Sequence, residues 1–309
     1  MILRMPMSGL ALCMALAWAL PWRATAEIVR VATYNLENYL DVPEGTRRVK
    51  SSEARAKVVE SILACKPDVI AMQEVGSTNA LFELQSTLAG AGLKLPYWEC
   101  VNGADTNIHV VILSRFELIA RRPHTNESYL LGARRFRVSR GIAEVDVRVN
   151  RDNYFTLMAT HLKSRNPSFK ADESEMREQE ALVVRQLVDA RMAAAPGVGL
   201  VVAGDFNDRR DSAAVKSILG RGQNRLFDTH PPERCGSCPQ NGAADAKGRT
   251  VAWTYYYSKE DTYMRIDYIL VNSALKRRWV ASESYVLSLP GWGVASDHRP
   301  VVCALELGE

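Results

Sequence analysis

Past its first 26 residues the sequence contains no apolar run long enough to cross a bilayer as a helix, which takes about 20 residues. It has no Pro/Ser/Gly linker, no internal repeat and no low-complexity tract, so the usual marks of a domain boundary are missing. It has no large excess of charge of either sign. Its 39 basic and 35 acidic residues give a formal net charge of +4, which permits a polyanionic partner without demanding one. It carries no reactive-serine or reactive-cysteine motif, and this removes the usual covalent routes to hydrolysis. Its six cysteines include Cys13 near the start, and the other five cannot all pair.

What is present begins with a leader. Arg4 precedes an apolar stretch from Leu10 to Leu20, and Ala24-Thr25-Ala26 supplies a small-x-small cleavage site before Glu27. Residues 1–26 are expected to be a signal peptide, and 27–309 a single catalytic domain that is exported to the periplasm or the extracellular space. A lipid anchor on Cys13 is disfavoured, because Leu12 precedes it and the apolar core continues past it. Without Arg4 and Arg23, 37 basic residues face 35 acidic ones. Export permits disulfides. Cys235-Gly-Ser-Cys238 lies in a Pro/Gly-rich loop. A zinc site there would recruit His230 but finds no fourth ligand, so a local Cys235–Cys238 disulfide is the better expectation. Cys303, in an apolar terminal strand, reads as an inert buried thiol.

Hydrophobic periodicity then places strands at 28–34, 69–72, 97–101, 108–113, 142–149 and 154–161, and again near 251–257, 265–271, 284–287 and 299–305. Helices fit 51–65, 79–89 and 172–194, the last with Leu182, Val183, Leu187 and Val188 on one side, and a shorter one follows Asp211 or Ser212. Many strands and few helices predict an α/β four-layer sandwich. Two mixed, mostly antiparallel sheets pack face to face between helices.

Four apolar residues, Leu200 to Ala203, run straight into Gly204-Asp205-Phe206-Asn207. Residues i and i+2 of a strand share a face, so Asp205 and Asn207 can present a carboxylate and an amide to one small volume. An Asx turn explains the tetrapeptide equally well. The other strand ends break the tie. Asn35 and Glu37 end the first strand, Glu74 the second, and His161 the strand from Tyr154. Asp267 interrupts an apolar run, and Asp297-His298 leads into the last strand. Each has a bland reading: Asn35 as a turn residue, Glu74 as a helix N-terminal charge, His161 as a satisfied core histidine, Asp267 as an arginine-paired acid. Together they point to one assembled site. Several acids with two amides and two histidines suit a divalent cation, Mg²⁺ or else Mn²⁺ or Ca²⁺, and a phosphate.

Tyr34-Asn35-Leu36-Glu37, Gln73-Glu74, Thr160-His161-Leu162-Lys163, Gly204-Asp205-Phe206-Asn207, Arg265-Ile266-Asp267-Tyr268 and Ser296-Asp297-His298 resemble, in order and strand context, the motifs of the endonuclease/exonuclease/phosphatase superfamily. The resemblance spans about residues 29 to 305. It implies that Glu74 is the principal metal ligand, with Glu37 and Asn35 beside it. Asp205 orients or deprotonates the attacking water, and Asn207 binds the scissile phosphate. His298 donates to a phosphate oxygen with Asp267 fixing its tautomer. Asp297 supports His298 or a second metal. His161 is the second histidine donor or the acid towards the leaving oxygen, and Arg140 contacts substrate phosphate.

Arg134, Arg135, Arg137 and Arg140 crowd around Phe136 and suit nucleic-acid phosphates, although a solvated charged loop fits nearly as well. Lys163 and Arg165 offer further phosphate contacts. Trp253 and Tyr255 to Tyr257 suit base stacking, but core packing is the commoner use of such residues. The expected protein is an exported, metal-dependent phosphodiesterase acting on nucleic acid, DNA before RNA, as a monomer with no stable membrane association. A lipid or sugar-phosphate esterase of the same fold is the alternative, and a silent binding module comes third. The loop at 288–294 with Trp292 is too short for a strong membrane contact.

Overall fold

A computed structural model describes residues 27–235 and 252–307. The expected leader and Cys238 lie outside the described residues. In chain order the strands begin with β1 (Ile28–Tyr39), β2 (Val69–Val75), β3 (Tyr97–Val101), β4 (His109–Ser114), β5 (Glu117–His124) and β6 (Ser128–Leu131). They continue with β7 (Arg134–Arg137), β8 (Ile142–Arg148), β9 (Tyr154–His161), β10 (Gly199–Asp205), β11 (Phe227–Asp228) and β12 (Glu233–Cys235). The last are β13 (Tyr255–Tyr257), β14 (Thr262–Met264), β15 (Asp267–Val271), β16 (Tyr285–Ser288) and β17 (Val301–Glu306). The helices are α1 (Ser52–Cys65), α2 (Thr78–Gly90), α3 (Glu173–Ala194) and α4 (Ala213–Leu219), with single turns α5 (Ser273–Lys276) and α6 (Trp292–Ala295). Ser51, Asp172 and Ser212 cap α1, α3 and α4 by accepting from backbone N–H groups, as their positions predict.

One sheet has seven strands in the order β12-β16-β17-β1-β2-β4-β3, the other six in the order β11-β15-β10-β9-β8-β5. Both are mixed and mostly antiparallel. β1 pairs antiparallel with β17, Ile28 opposite Glu306, and parallel with β2. Val31, Ala71, Val110, Leu157, Val201, Ile269 and Cys303 fill the space between the sheets. α1 and α2 cover the outer face of the first sheet through Ile62 and Leu84 against Tyr34 and Met72. α3 and α4 cover the second through Val188 and Ile218 against Val202 and Leu270. The four layers are those the strand-rich pattern predicts.

Two expectations are corrected. Leu182 does not share the buried side of α3: it is 37% exposed, while Val183 and Val188 are buried. One residue is about 100° of helix rotation, so the buried face runs instead through Met176, Ala181, Val184 and Val188. The arginine-rich segment is not a bare loop either. β6 and β7 form a hairpin whose Tyr129 and Phe136 rings stack at 5.8 Å. β5 escaped the sequence reading because it is an edge strand whose second half, Arg121-Arg122-Pro123-His124, breaks the apolar pattern.

The strand period places the polar residues. On β1, Val29 and Val31 face the inter-sheet core, and Thr33 and Asn35 continue that face. Phe155, Leu157 and Ala159 on β9 lead to His161, and Val201 and Ala203 on β10 lead to Asp205. Asp267 opens β15 ahead of inward-facing Ile269 and Val271. The core between the sheets therefore turns polar at one end, on strands from both sheets. Register aligns the second-sheet members: Asp205 lies opposite His161 on one side and Asp267 on the other. Gly204 permits this approach. Its φ is +146°, and a Cβ there would overlap the Thr160 carbonyl oxygen. Gly204→Ala is expected to cost at least about 3 kcal/mol, through overpacking and backbone strain, read as a large fall in melting temperature.

Candidate active site

Alternation alone would put Glu74 on the helix-covered face with Ile70 and Met72. A register shift in β2 and a left-handed φ of 61° break the alternation. The Glu74 carboxylate instead accepts from the backbone N–H of Asn38 at 3.0 Å and lies 3.5 Å from Asn35 Nδ2. Glu37, Asn38 and Asn207 also have positive φ, at 49°, 59° and 54°. Non-glycine residues held in this region carry strain, and with His230, at 37°, five of them line one cleft.

Asp205 sits at the junction of the two sheets. Its Oδ2 accepts from Asn35 Nδ2 at 3.0 Å, and its Oδ1 from the Asn207 backbone N–H at 2.8 Å. His161 Nε2 is 3.5 Å and His298 Nε2 3.7 Å from Asp205 Oδ2. His298 Nδ1 is bonded to Asp267 Oδ2 at 2.9 Å, so Asp267 pairs with a histidine, not with an arginine. Thr254 Oγ accepts from the Asp267 N–H at 3.1 Å and steadies that strand start. Asp297 Oδ1 lies 3.8 Å from His298 Nε2, and its backbone N–H donates to Glu37 at 3.2 Å. Ser296 Oγ donates to the Asn35 carbonyl and accepts from the His298 N–H, tying the last motif to the first.

The charges are tuned by these surroundings. Burial pushes Asp205 up to about 7, with His298 opposing and Asp267 reinforcing the rise. Burial, opposed by His298 and aided by Glu37 and Glu74, pushes Asp297 up to about 6. Burial would lower His298, but the carboxylates of Asp267 and Asp205 lift it well above the ordinary histidine range. Burial, then the charges of Arg140 and His298, hold His161 well below that range. A satisfied core histidine would have both nitrogens bonded. Among the described residues His161 Nδ1 is buried with no partner.

Asn35, Glu37, Glu74, His161, Asp205, Asn207, Asp297 and His298 line one cleft of about 1750 Å³. Asp267 stands just behind His298. Two expected phosphate contacts do not line it. Lys163 Nζ donates to the Ser164 and Asn166 carbonyls, inside its own loop. Arg140 is buried, donating to the Leu162 carbonyl, and its Nε has no partner among the described residues. Its charge acts on His161 from behind.

Sequence reading weighed core packing above a cleft role for Tyr255, whose ring lies 4.7 Å from that of His298, and missed Lys50, 3.4 Å from Glu37 Oε2. The i, i+2 spacing of Tyr255 and Tyr257, both in the cleft, was the available signal. Lys50 follows an irregular stretch and offered none. Trp253 and Tyr256 turn the other way, against Trp292.

A cation is best fitted by Glu37, Glu74 and Asp297. All three are hard oxygen donors lining the same cleft, and Glu37 and Glu74 add to the rise that burial imposes on Asp297. Asp205, Asp267 and His298 also cluster closely enough to hold an ion. There, however, the facing atoms of Asp267 and His298 are spent on each other, which marks a hydrogen-bonded relay more than a cation nest.

Fold and site define the class: a four-layer α/β sandwich whose sheets end in a centre of carboxylates, amides and histidines suited to phosphoester hydrolysis. The chain belongs to the Endonuclease/Exonuclease/phosphatase family, whose model matches residues 32–298 and so takes in every site residue. The human Nocturnin catalytic domain with bound sulfate is similar in structure, with a TM-score of 0.62 at 18% identity over 92% of this chain and 96% of that one. Truncated TDP2 from Caenorhabditis elegans gives 0.59 at 16% over 90% and 98%. An endonuclease/exonuclease/phosphatase from Beutenbergia cavernae gives 0.59 at 22% over 91% and 72%. No curated protein matches by sequence.

Proposed function

We propose that this protein is an exported, divalent-metal-dependent phosphodiesterase that hydrolyses nucleic acid, DNA in preference to RNA, by in-line attack of water. The observation that carries the reading is Asp205, bonded to Asn35 across the sheets and pushed up to about 7, within 3.7 Å of two histidines of opposite character. A carboxylate poised near neutral pH is suited to take a proton from water. His298, kept charged by Asp267, donates from Nε2 to a non-bridging phosphate oxygen. His161, kept neutral, orients the same phosphate or meets the leaving oxygen. The Asn207 amide, held by the Leu162 carbonyl at 3.0 Å, positions the phosphate without adding charge. Glu74, Glu37 and Asp297 would hold the cation. When bound, it neutralises a phosphate oxygen and stabilises the leaving group.

Nucleic acid is favoured over a lipid headgroup by the cleft walls. They carry Arg165, Arg209, Arg210 and Arg265 and the four tyrosines Tyr255, Tyr257, Tyr263 and Tyr268. Export is supported by the basic start, apolar core and Ala24-Thr25-Ala26 of the leader. The test incubates the mature protein with plasmid DNA, RNA, sphingomyelin or inositol polyphosphate, with Mg²⁺, Mn²⁺ or chelator. Metal-dependent plasmid nicking that chelator abolishes is expected. Sphingomyelin cleavage with the plasmid left intact would transfer the reading to the lipid alternative.

A further inference from the structure

The catalytic cleft does not end at the catalytic residues. It adjoins a second groove of about 700 Å³ along α4, the two meeting at the side chains of Lys216 and Leu219. The second groove follows Ala213, Lys216, Ser217 and Gly220, which is one helical face read from end to end. Four cations line it against a single carboxylate. That carboxylate, Asp189, is occupied by Arg185 at 2.6 Å and by Asn224. Lys216, Arg221 and Arg225 are exposed and have no ion pair among the described residues. Where the cleft meets α4, the acids are likewise matched: Asp208 with Arg177, Asp211 with Arg209, and Asp228 with Arg265 and Arg210. Positive charge is left over at Lys216, Arg221 and Arg225, along the second groove.

The hairpin of β6 and β7, which the sequence offers as the basic patch, is placed elsewhere. Arg134 stacks on Phe136 and donates to the Lys170 carbonyl, and Arg137 is bonded to Thr125 and Asn126. Neither groove includes a hairpin arginine.

We infer that the nucleic-acid strand continues past the scissile phosphate along α4, and that Lys216, Arg221 and Arg225 bind its backbone. This rests on the nucleic-acid reading above and sharpens it: the substrate is an oligonucleotide strand, not a mononucleotide or a small phosphoester. α4 has seven residues and is therefore about 10 Å long. At about 3.4 Å per nucleotide, Arg221 and Arg225 lie about three nucleotides beyond the entry of the track.

The test measures fluorescence anisotropy of labelled single-stranded DNA of 3 and 12 nucleotides across a salt series, in chelator so that nothing is cut. Each phosphate contact on a single strand contributes about 0.7 to the slope of log K against log salt. K216Q/R221Q/R225Q is expected to reduce that slope by about 2 for the 12-mer and by no more than about 0.7, the share of Lys216 at the mouth of the cleft, for the 3-mer. R134Q/R135Q/R137Q is expected to leave both unchanged. All six side chains are exposed, and matching melting temperatures establish that the variants fold. An unchanged slope in the α4 variant, or a fall confined to the hairpin variant, overturns the inference while plasmid nicking by the wild type keeps the functional reading. Loss of binding to phosphatidylserine vesicles, in place of DNA, assigns the track to a membrane surface and also overturns it. A wild type that neither binds nor cuts DNA removes both.

Discussion

Replacing Asp205 by asparagine is expected to lower kcat about 10³-fold and, at the same time, to raise thermal stability. The loss follows from removing the group that takes the proton from water, a contribution of about 10²–10⁴. The gain follows from linkage. Asp205 is pushed up to about 7 in the fold, from an ordinary carboxyl value near 4 when unfolded. Between those values the folded chain holds a proton that the unfolded chain has released, so stability falls as pH rises. Below pH 4 both states are protonated and the carboxyl contributes nothing. The asparagine variant lacks this penalty and keeps an oxygen for the Asn207 N–H. Melting temperatures measured in chelator should coincide with wild type near pH 4 and exceed it increasingly towards pH 8. Equal melting temperatures across that range would mean that Asp205 ionises without strain and is not poised as argued.

Asp267→Asn is expected to cost nearly as much, about 10²–10⁴ in kcat, although Asp267 does not line the cleft. Its Oδ2 fixes His298 Nδ1 at 2.9 Å, and an amide there leaves the ring in the wrong tautomer or orientation. Asp267 is also the foremost of the carboxylates that lift His298. Without it the imidazolium loses its proton at lower pH. The alkaline limb of the kcat profile should therefore move to lower pH, while binding of Mn²⁺, followed by calorimetry, stays as in wild type. A variant with depressed kcat and an unmoved alkaline limb would remove His298 from its proposed role as the charged donor.

The sequence disclosed the site better than it disclosed the surface around it. Asp205, His161 and Asn35 were legible because each extends an apolar period-2 run on a buried strand, and such a run has one place to go. Glu74 was legible as a strand-end acid and by its motif, not by alternation. Strict alternation would have buried it under α1 and α2, and the bulge that rescues it leaves no mark in composition. Leu182 was misplaced because apolar type was weighed ahead of rotation about the helix. The arginines misled in the same way. Arg134 to Arg137 are dense in sequence but turn outward on a hairpin, whereas Lys216, Arg221 and Arg225 are spread along the chain and meet in one groove. Proximity along a chain predicts a patch only when one element carries it. Lys163 shows the limit at a single residue, since its neighbours reach the cleft while its own ammonium closes the loop beneath them.

The pairing of β1 with β17 has a bearing on how the molecule is made. Ile28 settles against Glu306 only by closing a loop of about 280 residues, and Asn35 and Glu37 hang from that same strand. Closing so long a loop costs entropy before any contact repays it, which makes the step late and slow. β1 is thus held on one side by the nearby β2 and on the other by the distant β17. The joining of the two halves of the centre is therefore a long-range event, and a variant that weakens the β1–β17 pairing is expected to fold slowly.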